Sequence, residues 1–398
     1  MGKPFQKNIN TMKIQKTAYI IDAYSTGSYH EVINQGYLMM ISDLYENVVY
    51  LGTESSCKNL QRLMEECNKD CSNVKFNYIK KPKLKVKRQG LHSMLHLFQV
   101  SWLNYKYYRK VPKNCDVFFN NNLFYAIFLI HFFSRLQNNM YIMCHSEMEH
   151  IVPNRKESIT SVPSALFFKF VFNKVNLSDK FHFILLSSKM ADYFRRYIKP
   201  ENRSRVYWMD HCYIRPENKL RQDKIESGDW IKIGIPGAIT PQRGLAELET
   251  MLESIDNERI RVYSLSYISK HITNPGFVEL NKTGKLLPFN EYNNYVRQMD
   301  MLSLLYTAGS YKLTASGAAL EAIWNEKPIF AIKNDYLEYL FEKFGPLGYL
   351  ANDVTELVDV LNKQASDELT SYKQNIIRLK EFLYPSCVKF QLLNIVKG

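Results

Sequence analysis

The stretch IKIGIPGAITPQRGLAELETML, residues 231 to 252, reads as a strand, a turn and a helix in direct succession. The apolar run over 231–235 stops at Pro236-Gly237, and leucines recur at helical spacing after Arg243-Gly244. An arginine at the start of a helix can bind a diphosphate through two hydrogen bonds while free backbone amides share the charge. The pattern predicts a βα unit with an anion site in its loop, although a surface arginine before a helix is a common feature in itself.

Strand and helix patterns alternate on both sides of this unit, which predicts an α/β protein with parallel sheets. The polar segment 215–229 lacks apolar periodicity and divides the patterns into two series. The strands expected before it are 17–23, 47–51, 74–79, 116–120, 140–144, 181–186 and 205–209. Those expected after it are 230–235, 259–264, 276–280, 301–305, 328–332 and 348–350.

Each series predicts a doubly wound, Rossmann-like domain, since 398 residues are more than one hydrophobic core usually serves. The expected divisions are a flexible N-terminus (1–16), a first domain (17–214), a linker (215–229) and a second domain (230–384). Pro385 should break the last helical pattern, and residues 385–398 are expected to form a helix that packs back on the first domain. Because ligands bind beyond the carboxyl ends of parallel strands, the loops there are the candidate sites.

A second candidate loop opens the passage SGAALEAIWNEKPIFAI, residues 316 to 332. Ser316 suits a helix N-cap, and Gly317 permits close approach of a ligand phosphate. Glu321 lies just over one turn inside the helix, where its carboxylate can accept hydrogen bonds from two ribose hydroxyls. A solvated glutamate is the alternative for a lone residue of this kind.

Two loops of the first series also follow expected strands. Thr26 and Gly27 lie in a small polar turn before a helix, and the backbone amides there can hold an anion or a sugar hydroxyl, unless the turn is purely structural. Ser187 ends the strand pattern FHFILLSS in a comparable place. We predict these three residues as acceptor-binding.

Arg243-Gly244, followed some seventy residues later by SGAALEA, resembles the nucleotide-sugar-binding domain of GT-B glycosyltransferases. The resemblance implies two Rossmann-like domains facing a cleft, with the acceptor on the first and a nucleotide diphosphate sugar on the second. The donor-binding residues that it implies are Gly237, Arg243, Gly244, Ser316, Gly317 and Glu321.

The pattern is closest in style to the family-four retaining enzymes, whose second motif glutamate Glu321 matches. It departs from their Glu-x7-Glu motif at Leu313, which stands where the first glutamate is expected, and the usual lysine after Arg243 is absent. SGAALEA is also similar to the inverting lipid A disaccharide synthases. Retention and inversion both stay open.

The same resemblance implies catalytic residues in MYIMCHSEMEH. His145 stands where the family often has a histidine that faces the sugar, and Glu147 follows two residues later. In an inverting reaction a carboxylate or imidazole here would deprotonate the acceptor hydroxyl. We predict His145 and Glu147 as catalytic, with a packed loop histidine as the alternative and His211 as a weaker candidate. The fold implies no cofactor beyond the nucleotide-sugar substrate and no bound metal.

Positive charge is concentrated in the first half of the chain. Residues 1–215 contain 31 Lys and Arg against 16 Asp and Glu, whereas residues 216–398 contain 21 against 23. Basic residues are densest from Lys80 to Lys113, where apolar residues at helical spacing predict either a helix at an anionic membrane surface or a core helix with a solvated face. Nucleic acid is not an expected partner, since no helix-turn-helix, zinc-finger or RNP pattern is present.

The sequence contains no apolar run long enough to span a bilayer, no signal-peptide pattern and no paired C-x-x-C spacing among its seven cysteines. We expect a cytoplasmic protein, peripheral on the inner face of the membrane. The predicted function is transfer of a sugar from a nucleotide diphosphate sugar to a glycan or lipid-linked acceptor in cell-surface polysaccharide synthesis. The alternatives are a GT-B nucleotide-sugar epimerase and a catalytically silent GT-B glycan-binding or partner subunit.

Overall fold

The computed structural model describes residues 13–398 apart from 27–29, 81, 83–90, 122–123, 154, 156–160, 217–229, 242, 283–286, 288, 307–310 and 364–365. Strands of the first domain are β1 (Ile14–Asp22), β2 (Tyr45–Thr53), β3 (Val74–Ile79), β4 (Asp116–Phe119), β5 (Asn139–Met143), β6 (Phe181–Leu185) and β7 (Val206–Trp208). Strands of the second domain are β8 (Ile231–Ile235), β9 (Ile260–Ser264), β10 (Phe277–Glu279), β11 (Met301–Leu304), β12 (Ile329–Ile332) and β13 (Gly348–Ala351).

Helices connect these strands in both domains. The first domain contains α1 (Glu31–Leu44), α2 (Glu54–Glu66), α3 (Leu91–Tyr108), α4 (Phe124–Phe133), α5 (Val162–Lys174) and α6 (Ser188–Tyr197). The second contains α7 (Leu245–Ser254), α8 (Phe289–Gln298), α9 (Gly317–Trp324), α10 (Asp335–Phe344), α11 (Val354–Lys363) and α12 (Lys373–Phe382), and α13 (Pro385–Lys397) follows. Short 3-10 turns cover Ser146–Ile151, Pro200–Arg205 and Ser366–Tyr372.

Both sheets are parallel and doubly wound, as the sequence predicts. The strand order is β3-β2-β1-β4-β5-β6-β7 in the first sheet and β10-β9-β8-β11-β12-β13 in the second. The order reverses between β1 and β4 and between β8 and β11, so a crevice is expected at each of these two points. The loops after β1, β4, β8 and β11 are therefore the places where the fold offers ligand sites.

Each expected strand is present, with differences at the ends. β1 begins at Ile14, three residues before the expected start, because Ile14 pairs with Tyr45 ahead of a register shift. Residues 14–16 of the N-terminus that we predicted as flexible (1–16) therefore belong to β1, and residues 1–12 lie outside the described part of the chain. Most of the expected linker, residues 217–229, also lies outside it, so the domain boundaries stay a prediction.

The last helix joins the two halves of the molecule. α13 packs on α1 of the first domain, and Val388, Leu392 and Ile395 are buried in an apolar cluster that contains residues of both domains. Lys389 Nζ lies 2.9 Å from an Asp43 carboxylate oxygen. The C-terminal helix crosses back to the first domain, as predicted.

Asp210, just after β7, connects the end of the first domain to the second domain. Its buried carboxylate accepts hydrogen bonds from Tyr339 and Lys343 of α10 and from Gln391 of α13. The Asp210 backbone N–H also donates to Gln391 Oε1 at 2.8 Å. One carboxylate thus connects three separate segments of the chain.

Candidate functional site

The loop after β8 packs closely on the end of β11. Gly237 and Gly244 have φ values of 77° and 76°, a backbone region that favours glycine. A Cβ atom at Gly244 would overlap the carbonyl oxygen of Leu305, so the loop approaches β11 as only a glycine allows. Arg243, the residue before it, is exposed.

Tyr306 connects the two predicted donor-binding segments. A Cβ atom at Gly237 would lie 3.9 Å from the Tyr306 hydroxyl, and that hydroxyl is hydrogen-bonded to Ser316. Burial raises the pKa of Tyr306 well above its usual range, while the positive charge of Arg243 acts in the opposite direction. Tyr306 was not predicted, although its place just after a strand at the point where the strand order reverses was a usable signal.

The amino-terminal end of α9 faces open space. Ser316 is the N-cap, as predicted, and its Oγ accepts the Ala319 N–H at 3.2 Å. A Cβ atom at Gly317, the first helical residue, would have no atom of the described residues within 4 Å. Gly317 is exposed, so the first-turn amides that Ser316 does not cap are the candidate donors to a ligand, and the helix dipole favours an anionic one.

Glu321 is buried and lies in an ion pair that the sequence did not predict. Its Oε1 accepts a hydrogen bond from Arg215, which we expected in the linker and which also donates to the Tyr213 hydroxyl at 2.7 Å. Glu321 Oε2 is buried without a hydrogen-bond partner in the described part of the chain. Burial raises the pKa of Tyr292, and the negative charge of Glu321 and the neighbouring Tyr306 raise it further.

In the first domain, Asp22 organises the loop after β1. Its carboxylate is buried at the carboxyl end of the strand. The donors to it are the backbone amides of Tyr24 and Ser25, the side-chain amides of Asn34 and Asn121, and the Tyr50 hydroxyl. This network fixes the loop that leads to Thr26, which is half-buried, whereas Gly27 lies outside the described residues.

Three histidines meet at the carboxyl edge of the first sheet. The ring centroid of His145 lies 5.7 Å from that of His30 and 6.3 Å from that of His211. Tyr37 packs against both His145 and His211. His30 was not predicted, because its position before α1 gives no periodic signal.

Burial favours the neutral form of all three imidazoles by lowering the pKa of each. Burial lowers the pKa of His145 well below its usual range, with the charges of His30 and His211 acting in the same direction. Burial also lowers the pKa of His211 to about 4. His145 Nε2 lies 3.0 Å from the Asn120 carbonyl oxygen, which can only accept, so Nε2 carries the proton and Nδ1 is the acceptor nitrogen.

The other predicted residues of the first domain have roles inside the fold. Glu147 Oε1 accepts the His145 backbone N–H at 3.2 Å and so helps to hold the turn after β5. Ser187 is fully buried and caps α6 by accepting the Met190 N–H. The hydroxyl of Ser187 is therefore directed into its own helix rather than toward the cleft.

Comparison with known proteins is informative at the level of structure. No protein-family profile matches the chain, and no curated protein sequence matches it. HepE from Anabaena, in complex with UDP-glucose, superposes over 96% of this chain and 100% of its own with a TM-score of 0.62 at 11% identity. A TarM variant from S. aureus, in complex with fondaparinux, alpha-GlcNAc-glycerol and UDP, covers the same shares with a TM-score of 0.58 at 9% identity. The chain has the GT-B fold.

WaaG, a glycosyltransferase involved in lipopolysaccharide biosynthesis, is a third similar GT-B structure, with a TM-score of 0.56 at 12% identity over 96% of this chain and 100% of its own. In this GT-B chain, Tyr306 of the second domain connects Ser316 with the loop that contains Gly237. His145 and Glu147 lie on the first domain, beside His30 and His211. Among the described residues, no group of three or more His, Cys, Asp or Glu side chains is arranged to hold a metal ion.

Proposed function

We propose that the protein is a glycosyltransferase that moves a sugar from a nucleotide diphosphate sugar to a glycan or lipid-linked acceptor in cell-surface polysaccharide synthesis. The observation that carries the proposal is the exposed N-terminus of α9 in the second domain, about one turn from Glu321, whose N-cap Ser316 is connected through Tyr306 to the loop of Gly237 and Arg243. An arginine, free helix amides and a carboxylate match the diphosphate and ribose of one nucleotide.

The proposed donor contacts divide the ligand into parts. Arg243 and the first amides of α9 bind the diphosphate and stabilise the negative charge that develops on it as the leaving group departs. Glu321 Oε2, which has no hydrogen-bond partner among the described residues, accepts from a ribose hydroxyl. Arg215 holds the other oxygen and so fixes the carboxylate.

His145 is assigned to the sugar rather than to a proton transfer. An imidazole with a strongly lowered pKa is a weak base, whereas its Nδ1 can accept a hydrogen bond from a sugar hydroxyl. If the reaction proceeds with inversion, Glu147, two residues after His145, is the carboxylate that we assign as the base for the acceptor hydroxyl. In the retaining case no such base is needed at this position.

The structures of HepE and TarM contain UDP or UDP-glucose, which makes uridine nucleotides the first donors to test. A thermal-shift screen of UDP-, GDP-, CMP- and dTDP-sugars should identify one class that raises Tm, because a ligand at a hundred times its Kd stabilises the folded state by about 2.7 kcal/mol. Release of the nucleotide in the presence of a glycan acceptor would then separate the alternatives. An epimerase would return an altered sugar without any acceptor, and a silent subunit would bind the donor without turnover. Absence of a Tm shift with every donor contradicts the proposal.

The membrane part of the proposal rests on the outer surface of α3, α4 and α5, which pack side by side. We call this surface the apolar face; its exposed side chains are Leu95, Phe98, Trp102, Phe132, Phe133, Val162, Leu166 and Phe170. Leu166 and Phe133 are more than 60% exposed, at 64% and 61%. The three helices contain no Asp or Glu, whereas Lys106 and Lys169 lie among the apolar residues. An apolar face with only positive charge fits an anionic bilayer.

The double variant Phe98→Ser/Trp102→Ser should bind vesicles containing an anionic phospholipid about tenfold more weakly than the wild type, because two aromatic side chains no longer enter the lipid interface. Vesicle flotation measures this. Phe390→Ser, an exposed aromatic on α13, is the matched control and should not change binding. Equal binding of both variants, or none by the wild type, contradicts a membrane-facing role. Of the basic segment predicted for this role, residues 81 and 83–90 lie outside the described chain.

A further inference from the structure

Glu149 joins the two domains across the cleft. It belongs to the 3-10 turn Ser146–Ile151 that directly follows His145 on the first domain. Its Oε1 accepts the Leu313 backbone N–H at 2.7 Å and the Thr314 hydroxyl at 2.9 Å, both from the second domain. Glu149 and Leu313 are buried, so these are hydrogen bonds to a shielded carboxylate, which are stronger than those between neutral groups.

The segment that Glu149 holds leads straight into α9. Leu313 and Thr314 precede the N-cap Ser316 by three and two residues. Leu313 also occupies the position at which the Glu-x7-Glu pattern has its first glutamate. Leu313 supplies no carboxylate there, and the carboxylate that contacts its backbone N–H belongs to Glu149 of the opposite domain.

We propose that Glu149 is a positioning residue that sets the distance and orientation between the His145 turn and the N-terminus of α9. The inference rests on the proposed function, in which the first element contacts the transferred sugar and the second holds its diphosphate. A displacement of about 1 Å between reacting groups can lower a rate about a hundredfold. Glu149 is thus expected to affect the chemical step far more than donor binding, since Arg243, α9 and Glu321 all belong to the second domain.

The test compares Glu149→Ala, Glu149→Gln and the control Glu342→Gln. Glu342 also forms an interdomain contact, with Lys189 at 2.6 Å, but its side chain is 64% exposed. For Glu149→Ala we expect kcat for sugar transfer to fall about a hundredfold, with the nucleotide-sugar Kd within about threefold of the wild type. Glu149→Gln keeps an acceptor oxygen and should recover part of kcat, whereas Glu342→Gln should match the wild type. A Glu149→Ala enzyme with unchanged kcat, or with kcat, Kd and Tm all lost together, overturns the inference.

A second measurement does not depend on activity. The Leu313 amide should be protected from hydrogen exchange in the wild type and in Glu342→Gln, and about tenfold less protected in Glu149→Ala. Unchanged protection in Glu149→Ala overturns the inference even if the protein proves to have another activity. Conversely, a wild type that binds no nucleotide-sugar but shows the expected exchange contradicts the proposed function and leaves the Glu149 connection in place.

Discussion

Replacing Gly317 with valine should raise the Kd for the nucleotide-sugar donor about a hundredfold, because hydrogen bonds to a charged group contribute about 1.5–3 kcal/mol and each 1.4 kcal/mol is about tenfold in Kd. The isopropyl group would occupy the space in front of the α9 amides, where we place the diphosphate. Calorimetric titration with the donor found in the screen measures the change.

The folded state of Gly317→Val should be as stable as the wild type. No atom of the described residues lies within 4 Å of a Cβ at this position, and glycine is a poor helix former that valine does not worsen. Gly244→Ala is a control that should destabilise the fold. The φ of 76° disfavours alanine, and the new Cβ would overlap the Leu305 carbonyl oxygen, so Tm should fall strongly. Unchanged donor affinity in a folded Gly317→Val protein would exclude the α9 N-terminus as the diphosphate site.

The Asp210→Ala variant should lose about 3 kcal/mol of unfolding free energy, since removing one partner from a buried charged cluster leaves the others unpaired. Tyr339, Lys343 and Gln391 would all lose their shared acceptor, and Lys343 is only partly exposed. Urea denaturation measures the loss.

Glu342→Gln, on the same helix as Tyr339 and Lys343, is the matched control for Asp210. It removes an exposed ion pair, and such pairs contribute about 0–1 kcal/mol. If the two variants unfold at the same urea concentration, the Asp210 cluster does not hold the segment after β7 to α10 and α13.

The fold was accessible from the sequence because its determinants are local. Short apolar runs bounded by turn residues predicted each strand, and alternation with helical patterns predicted parallel sheets. The ends of the strands were harder to predict. β1 begins at Ile14 because Ile14 pairs with Tyr45, and the sequence of one strand does not reveal its pairing partner. The return of α13 followed from Pro385 and the apolar pattern after it.

The candidate site could be predicted only in part from the sequence. Ser316, Gly317 and Arg243 are recognisable because each lies at the start of a helix that follows a strand. We had assigned Arg215 to the linker, and the predicted site residues included neither Glu149 nor His30. The importance of all three arises from contacts with residues far away in the chain. Arg215 meets Glu321, 106 positions later, and Glu149 meets Leu313, 164 positions later. Residue type and spacing carry no information about such pairings.

The crossing of α13 has a consequence for biosynthesis. Val388, Leu392 and Ile395 complete an apolar cluster that also contains residues of α1, which is translated before any part of the second domain. The surface of α1 that α13 covers therefore remains exposed while the entire second domain is being translated. A nascent chain exposes this apolar surface throughout synthesis of the second domain, which makes it a natural point for chaperone binding.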